Sequence, residues 1–350
     1  MNLFFNWKEV KTRGKGLAFD DVLLVPAKSD IRSRRTPELK SRITRKRSID
    51  LPVISANMDT ITEADMAIAM HSLGGLGILH RFMSIEDQVL QLKNMKQAGV
   101  KHLAVSVGVT TDERKRAEAV VAAGAEILTI DIAHGHSAQM FEMLEWIKSK
   151  LPNIEVIVGN MATPDAVRDL ANAGADAVKI GIGPGSMCTT RIITGCGMPQ
   201  LTAIALCAEA AAEFDLPVIA DGGLRSSGDI VKALAAGADT VMIGGMLSGT
   251  IETPGEIKHG RKLYRGMASR SAQDSWRGGV PEGMAPEGES SSVSIKGHAK
   301  DVLLEIAGGI RSGMSYVNAM TIKEIREKGQ FIEMTSSGMA ESRAHGVRQE

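Results

Sequence analysis

The chain has 350 residues, 43% of them apolar and 23% charged, with 41 basic side chains against 41 acidic ones. That balance leaves no electrostatic footprint for nucleic acid or an anionic membrane, and no run approaches the ~18 apolar residues of a membrane span. Such a composition is ordinary for a soluble globular enzyme, of one large domain or two smaller ones.

The opening segment, Met1 to Lys8, is too short and acquires charge too early to be a secretory signal. The three cysteines, Cys188, Cys196 and Cys207, are an odd number without metal-type spacing, which favours a reducing compartment. A cytoplasmic location is therefore expected. From Arg32 to Arg47 the chain is strongly basic. This stretch reads as a solvated loop or an oligomer contact, with a phosphate-binding patch as the alternative.

Short runs rich in Val and Ile then recur, each followed by a polar loop and a helical pattern. They are Pro52–Ala56, Gly75–Leu79, Leu103–Val107, Ile127–Asp131, Glu155–Val158, Ala177–Gly181, Pro217–Asp221 and Thr240–Gly244. Runs of this length without polar alternation suit strands buried on both faces of a parallel sheet. Ala123–Glu126, Ala173–Asp176 and Ala236–Asp239 repeat an Ala-Gly-Ala-acid pattern just before a strand, and Gln97–Val100 is a weaker copy. The glycine suits a helix C-terminus, where a left-handed residue carries no Cβ clash. Eight such units predict an α/β fold, a (β/α)8 TIM barrel, in preference to an open doubly wound sheet. The expectation is a single barrel domain over residues 1–350, with a mobile flap near 268–296 and a tail at 330–350.

Active sites of such barrels lie at the C-terminal ends of the strands. The sixth run opens into Gly181-Ile182-Gly183-Pro184-Gly185-Ser186-Met187-Cys188-Thr189-Thr190-Arg191. Glycines there let the backbone approach a ligand, and a thiol in that setting can attack an electrophilic carbon. A buried cysteine beside a structural turn is the competing reading. The seventh and eighth runs end in Asp221-Gly222-Gly223 and Gly244-Gly245-Met246. Their backbone amides suit a phosphate, Asp221 suits a ribose diol, and Ser186 offers a further hydroxyl. Other strand ends carry Asn57 and Asp59, His80-Arg81, Asp131 to Ser137, and Gly159-Asn160. His134 and His136 lack a third ligand nearby, so they read as loop-organising residues or cofactor contacts. Trp146 and most of the 19 methionines fall on helical patterns and are assigned to the core, while Cys196 and Cys207 are assigned structural roles.

Arg270 to Ser294 has a different texture, rich in Gly, Ser, Pro and Glu without an apolar period. It reads as a long lid. Glu287, framed by turn residues, is open to both a surface and a functional reading. The last helix is expected near Lys300 to Ala307, ending before Gly308-Gly309.

Four stretches carry a resemblance: Gly181–Arg191, Ser55–Thr60, Phe19–Leu24 and Asp221–Gly223. Together they resemble the IMP dehydrogenase / GMP reductase family over nearly the whole chain. The resemblance implies a (β/α)8 barrel, a purine nucleotide monophosphate as substrate, a nicotinamide cofactor and a homotetramer. Dehydrogenases of the family usually carry CBS modules after the second unit, whereas here Ser84–Gly99 runs directly into the third strand. Their flaps also bear an Arg-Tyr pair that this flap lacks, and Met267–Gly297 aligns with reductase flaps without a gap. Asn57 and Ile132 lean the same way. Gly74–Ile78 and the tail Glu341–His345 are closer to dehydrogenases, and Ala268 and Met284 depart from reductases, which usually have serine and arginine there.

The resemblance thus implies an NADPH-dependent GMP reductase that forms IMP and ammonia. The alternative is an IMP dehydrogenase without CBS domains, using NAD; a catalytically silent nucleotide-binding barrel is a third reading. By resemblance, Cys188 is the nucleophile, Thr190 and Glu287 relay a proton, and Arg81 assists. Ser186, Gly223, Gly244 and Gly245 would hold phosphate, Asp221 the ribose, and Met267 with Ala268 the base. Asp131, Ala133 and Asn160 would meet the cofactor. Backbone carbonyls of Gly183, Gly185 and Cys188 would hold a monovalent cation such as K+, with Glu341 of a neighbouring subunit.

Overall fold

In the computed structural model, which describes residues 3–342, eight parallel strands close into a barrel. They are β1 (Val53–Ser55), β2 (Leu76–Leu79), β3 (Ala104–Val107), β4 (Ile127–Asp131), β5 (Glu155–Met161), β6 (Ala177–Ile180), β7 (Val218–Asp221) and β8 (Thr240–Ile243). Each coincides with an expected segment, and β8 pairs back onto β1 through Val241 and Val53 to complete the ring. Every residue of β2, β3, β6 and β8 is buried, which is why those runs show no polar alternation.

Seven helices alternate with the strands: α1 (Ala64–Ser72), α2 (Ile85–Gln97), α3 (Thr111–Ala123), α4 (Ala138–Lys150), α5 (Pro164–Asn172), α6 (Gln200–Ala212) and α7 (Ser227–Ala235). Ser84, Thr163 and Ser226 start three of them by accepting a hydrogen bond from a backbone N–H in the first turn. The repeated glycines follow the ends of α3, α5 and α7: Gly124, Gly174 and Gly237 have φ of 113°, 98° and 118°. In that left-handed region a Cβ would cost strain.

The eighth helix, α8 (Ala299–Tyr316), departs from the sequence reading. It does not stop before Gly308-Gly309 but runs through both glycines. A Cβ on Gly309 would collide with the Ser227 side chain, and one on Gly313 would lie 2.8 Å from Val231 Cγ1. These glycines let α8 cross closely over α7, so they serve packing rather than termination. A further helix follows at Ile322–Lys328.

Segments outside the barrel close its ends. Phe331–Glu333 pairs antiparallel with both Phe4–Phe5 and Val22–Leu24, joining the two ends of the described chain. The basic stretch forms a hairpin, Ser41–Arg42 with Ser48–Ile49, near the N-terminal ends of the strands. There Arg47 pairs with Glu155 at 2.5 Å and Glu126 at 3.2 Å, so part of this stretch serves an internal ion network.

The flap also has more order than its composition suggested. Strands β9 (Arg261–Arg265) and β10 (Ser290–Ser294) form an antiparallel ribbon around it, and Arg270–Arg277 is a helix capped by Ser269. Arg265 anchors the ribbon to the barrel rim through Asp59, at 2.5 Å. No helix among the described residues is long and apolar enough to cross a membrane.

Candidate active site

The loop after β6 turns at the strand end because Gly181 adopts φ 149° and Gly183 φ 79°. A Cβ on Gly181 would collide with the Asp221 carbonyl, so β6 and β7 approach here only with glycine present. The loop ends in a short helix, Thr190–Thr194, with Cys188 just before it. Cys188 N–H donates to the Gly185 carbonyl at 3.1 Å, and Cys188 is only partly exposed. The thiol donates to Thr190 Oγ1 at 3.1 Å, and that hydroxyl donates to Glu287 Oε2 at 2.9 Å.

Glu287 reaches this position by backbone pairing. Thr189 N–H donates to the Glu287 carbonyl at 3.1 Å, Glu289 N–H to the Met187 carbonyl at 2.8 Å, and Glu287 N–H to the Ala268 carbonyl at 3.0 Å. A Cβ on Gly288 would lie 3.0 Å from the Met187 oxygen, so glycine permits the close approach. The flap is thus laced to the cysteine loop, and the open reading of Glu287 resolves in favour of a residue beside the thiol.

Two adjoining cavities open at this end of the barrel. The larger, of about 420 Å³, is bordered by Cys188, Thr190 and Glu287, and also by Gly183, Gly185, Met267 and Ala268. It extends past Asp131, Ile132, Ala133 and Asn160 to Arg81, Phe82 and Trp276. The smaller, of about 310 Å³, is bordered by Ser186, Asp221, Gly223, Gly244 and Gly245. Every residue to which the resemblance gives a catalytic, substrate, cofactor or cation role, Glu341 apart, therefore borders one cavity or the other, while His134 and His136 border neither. Glu341 lies in the short helix Ser336–Glu341, and the Arg343 to His345 part of the tail motif lies outside the described residues.

The smaller cavity includes Tyr264, which the sequence did not single out. Its hydroxyl lies 3.0 Å from Ser186 Oγ. A Cβ on Gly244 would lie 3.3 Å from the tyrosine oxygen, and one on Gly245 3.4 Å from Ser186 Oγ. Two hydroxyls and two open glycine backbones thus converge, a donor-rich recess suited to phosphate oxygens.

A second residue missed by sequence is Lys179, at the inner end of β6. Its side chain is 2% exposed, and its ammonium lies 2.9 Å from Asp131 Oδ1 and 2.6 Å from Asp221 Oδ2. It also donates to Asn160 Oδ1, while Asn160 Nδ2 donates to Asp221 Oδ2 at 2.9 Å and to the Gly181 carbonyl at 2.8 Å. Burial alone would depress the Lys179 pKa, but the pull of Asp131 and Asp221 outweighs it and holds the value above the ordinary range. Burial likewise pushes Asp131 up, yet Lys179, then Arg81 and Asn57, bring it below the usual carboxylate value. A lysine inside an apolar strand was itself the missed signal, since lysine is almost never fully buried unless paired.

The remaining expected residues divide. Cys207 is buried in α6, where burial pushes its thiol up to about 12. Cys196 is exposed, which corrects its structural assignment: the loop after the short helix turns it outward. His136 Nε2 lies 2.9 Å from Asp169, and among the described residues no cluster of His, Cys, Asp or Glu forms a metal centre.

Comparison with known proteins follows the same lines. A family model described as IMP dehydrogenase / GMP reductase domain matches residues 16–345. The chain is 41% identical to inosine-5′-monophosphate dehydrogenase of Cryptosporidium parvum, over 96% of each chain. It is 38% identical to the protein of that name from Borreliella burgdorferi, over 96% of this chain and 98% of the relative. Among solved structures, it superposes on a variant GMP reductase of Trypanosoma brucei in complex with guanosine 5′-monophosphate, with a TM-score of 0.91 and 31% identity. That match covers 97% of this chain and 100% of the other.

Proposed function

The chain belongs to the IMP dehydrogenase / GMP reductase family of nicotinamide-dependent oxidoreductases, and within it we propose a GMP reductase. The reading is that it converts GMP to IMP and ammonia with NADPH, as a cytoplasmic homotetramer built from one barrel domain. The observation that supports it best is the chain of contacts from Cys188 through Thr190 to Glu287.

In this reading phosphate enters the smaller cavity, held by Ser186, Gly223, Gly244 and Gly245 with Tyr264. Asp221 meets the ribose with Oδ1, since Oδ2 is already taken by Lys179 and Asn160. The base lies along Met267 and Ala268 with its C2 beside Cys188. The Cys188 thiolate attacks C2 and forms a carbon–sulfur bond, and the exocyclic amino group leaves as ammonia. The thiol's proton passes through Thr190 to Glu287 and returns by the same path to the leaving nitrogen, and the docked flap keeps bulk water from competing.

The wall formed by Asp131, Ile132 and Ala133 leads to the rings of Phe82 and Trp276 and fits a flat heteroaromatic group. There a reduced nicotinamide, when bound, supplies the hydride that replaces the amino group. Asp131 and Ala133 orient it, Asn160 borders the same wall while its amide holds Asp221, and Arg81 assists. Loss of the sulfur bond then releases the thiolate, and a proton from solvent restores the thiol. The carbonyls of Gly183, Gly185 and Cys188 are hard donors suited to K+, although Gly185 already accepts from Cys188 N–H.

A second reading, IMP dehydrogenase using NAD, draws support from the names of the sequence relatives. Incubation with GMP and NADPH, and separately with IMP and NAD, separates the two. Loss of reduced cofactor with ammonia release supports the reductase. Growth of reduced cofactor from IMP with no turnover of GMP overturns it.

A further inference from the structure

We propose that Trp276 is a positioning residue: its indole, brought in by the docked flap, seats the Arg81 guanidinium in the active-site cavity. The inference deepens the reductase reading, which assigns Arg81 to the reacting centre.

Arg81 follows β2 on the rigid barrel, and Trp276 sits on the flap helix Arg270–Arg277. The Arg81 Cζ lies 4.8 Å from the Phe82 ring centre and 5.9 Å from that of Trp276. The two rings are 5.2 Å apart and inclined by 57°, so they form an open angle that holds the flat cation. Hydrogen bonding does not explain the placement. Arg81 Nε is buried with no acceptor, and so is Trp276 Nε1. Ring faces therefore border the side chain, and cation–π contacts within about 6 Å are attractive; the Arg277 guanidinium lies nearer still to the indole, at 4.4 Å.

Only one of those rings belongs to the barrel. Phe82 adjoins Arg81 in the chain, whereas Trp276 arrives with the flap. Flap docking thus brings two things to the cavity together: Glu287 beside the thiol, and the second wall for Arg81. All three residues border the same cavity as Cys188. The charge of Arg81 also reaches inward, being one of the influences that keep Asp131 ionised. A lysine would not replace it, since an ammonium presents no flat face for stacking.

The test is a double-mutant cycle with a spectroscopic arm. Trp276→Leu and Arg81→Lys should each lower kcat roughly 2- to 30-fold, the span that a cation–π contact represents. GMP affinity should stay unchanged, Trp276→Phe should recover most of the loss, and the double variant should be no worse than the poorer single one. In parallel, the Trp276 emission, taken as the difference between wild type and Trp276→Phe, should change when Arg81 becomes alanine. That arm reads the contact whether or not GMP is the substrate. If wild type ignores GMP and NADPH, the reductase reading fails while the emission still decides this proposal. Additive losses in the double variant, a Trp276→Leu enzyme at full kcat, or an emission indifferent to Arg81 would each overturn it.

Discussion

The hydroxyl of Thr190, on the barrel, donates to the carboxylate of Glu287, on the flap, across 2.9 Å. Because Thr190 also accepts from the Cys188 thiol, the pair joins that thiol to a carboxyl group through one hydroxyl. Glu287→Gln keeps the shape of that contact and removes its acid. We expect kcat to fall by about 10²–10⁴-fold, as for loss of a general acid, with GMP binding preserved. Steady-state kinetics beside calorimetric titration with GMP checks both halves.

Lys179 neutralises two carboxylates that border the ligand cavities, Asp131 and Asp221. Lys179→Met would leave both, each half-buried at the cavity wall, without that counter-charge. Breaking a buried ion pair from one side costs about 3–5 kcal/mol, so the variant should unfold at markedly lower urea concentration. It should also bind GMP more weakly, because Asp221 loses the partner that orients it.

Asp131 gives the fold an acid dependence of definite sign. Burial would raise its pKa, but Lys179, Arg81 and Asn57 together outweigh burial, and the folded value lies below the ordinary 3.8. Stability from this carboxylate is therefore complete above that value and is lost as pH falls through the folded one. Asp131→Asn should be less stable than wild type near about pH 6, with the gap closing in strong acid. Urea unfolding at a series of pH values measures it. A gap that widens on acidification would contradict this assignment.

Gly309 lies where α8 crosses α7, and a Cβ there collides with Ser227. Gly309→Ala should lower stability by about 1–3 kcal/mol, the usual penalty for overpacking. Neither Gly309 nor Ser227 borders either cavity, so activity of the folded fraction should be unchanged. Thermal unfolding followed by circular dichroism, with kinetics on the same preparation, tests both statements.

The barrel was legible in the sequence for physical reasons. Strands buried on both faces leave unbroken apolar runs, and helices that end on a left-handed residue leave a glycine at a fixed offset. The cysteine loop was legible because its glycines stand where the backbone turns. Glu287 was ambiguous because its position depends on pairing between residues 287–289 and 187–189, a contact across about a hundred residues with no local signature. Tyr264 was missed because it lies on a ribbon strand outside the barrel repeat. Gly308 and Gly309 misled because a glycine pair after a helical pattern reads as a stop signal, whereas Gly309, with Gly313, permits a close helix crossing and a Cβ on Gly308 would meet nothing.

The most direct measurement is mass spectrometry of the protein quenched during turnover with GMP and NADPH. A purine nucleotide attached through Cys188, absent from Cys188→Ala, is the predicted result. Full turnover of GMP by the alanine variant, or a quenched enzyme whose Cys188 peptide carries no added mass, would contradict the account.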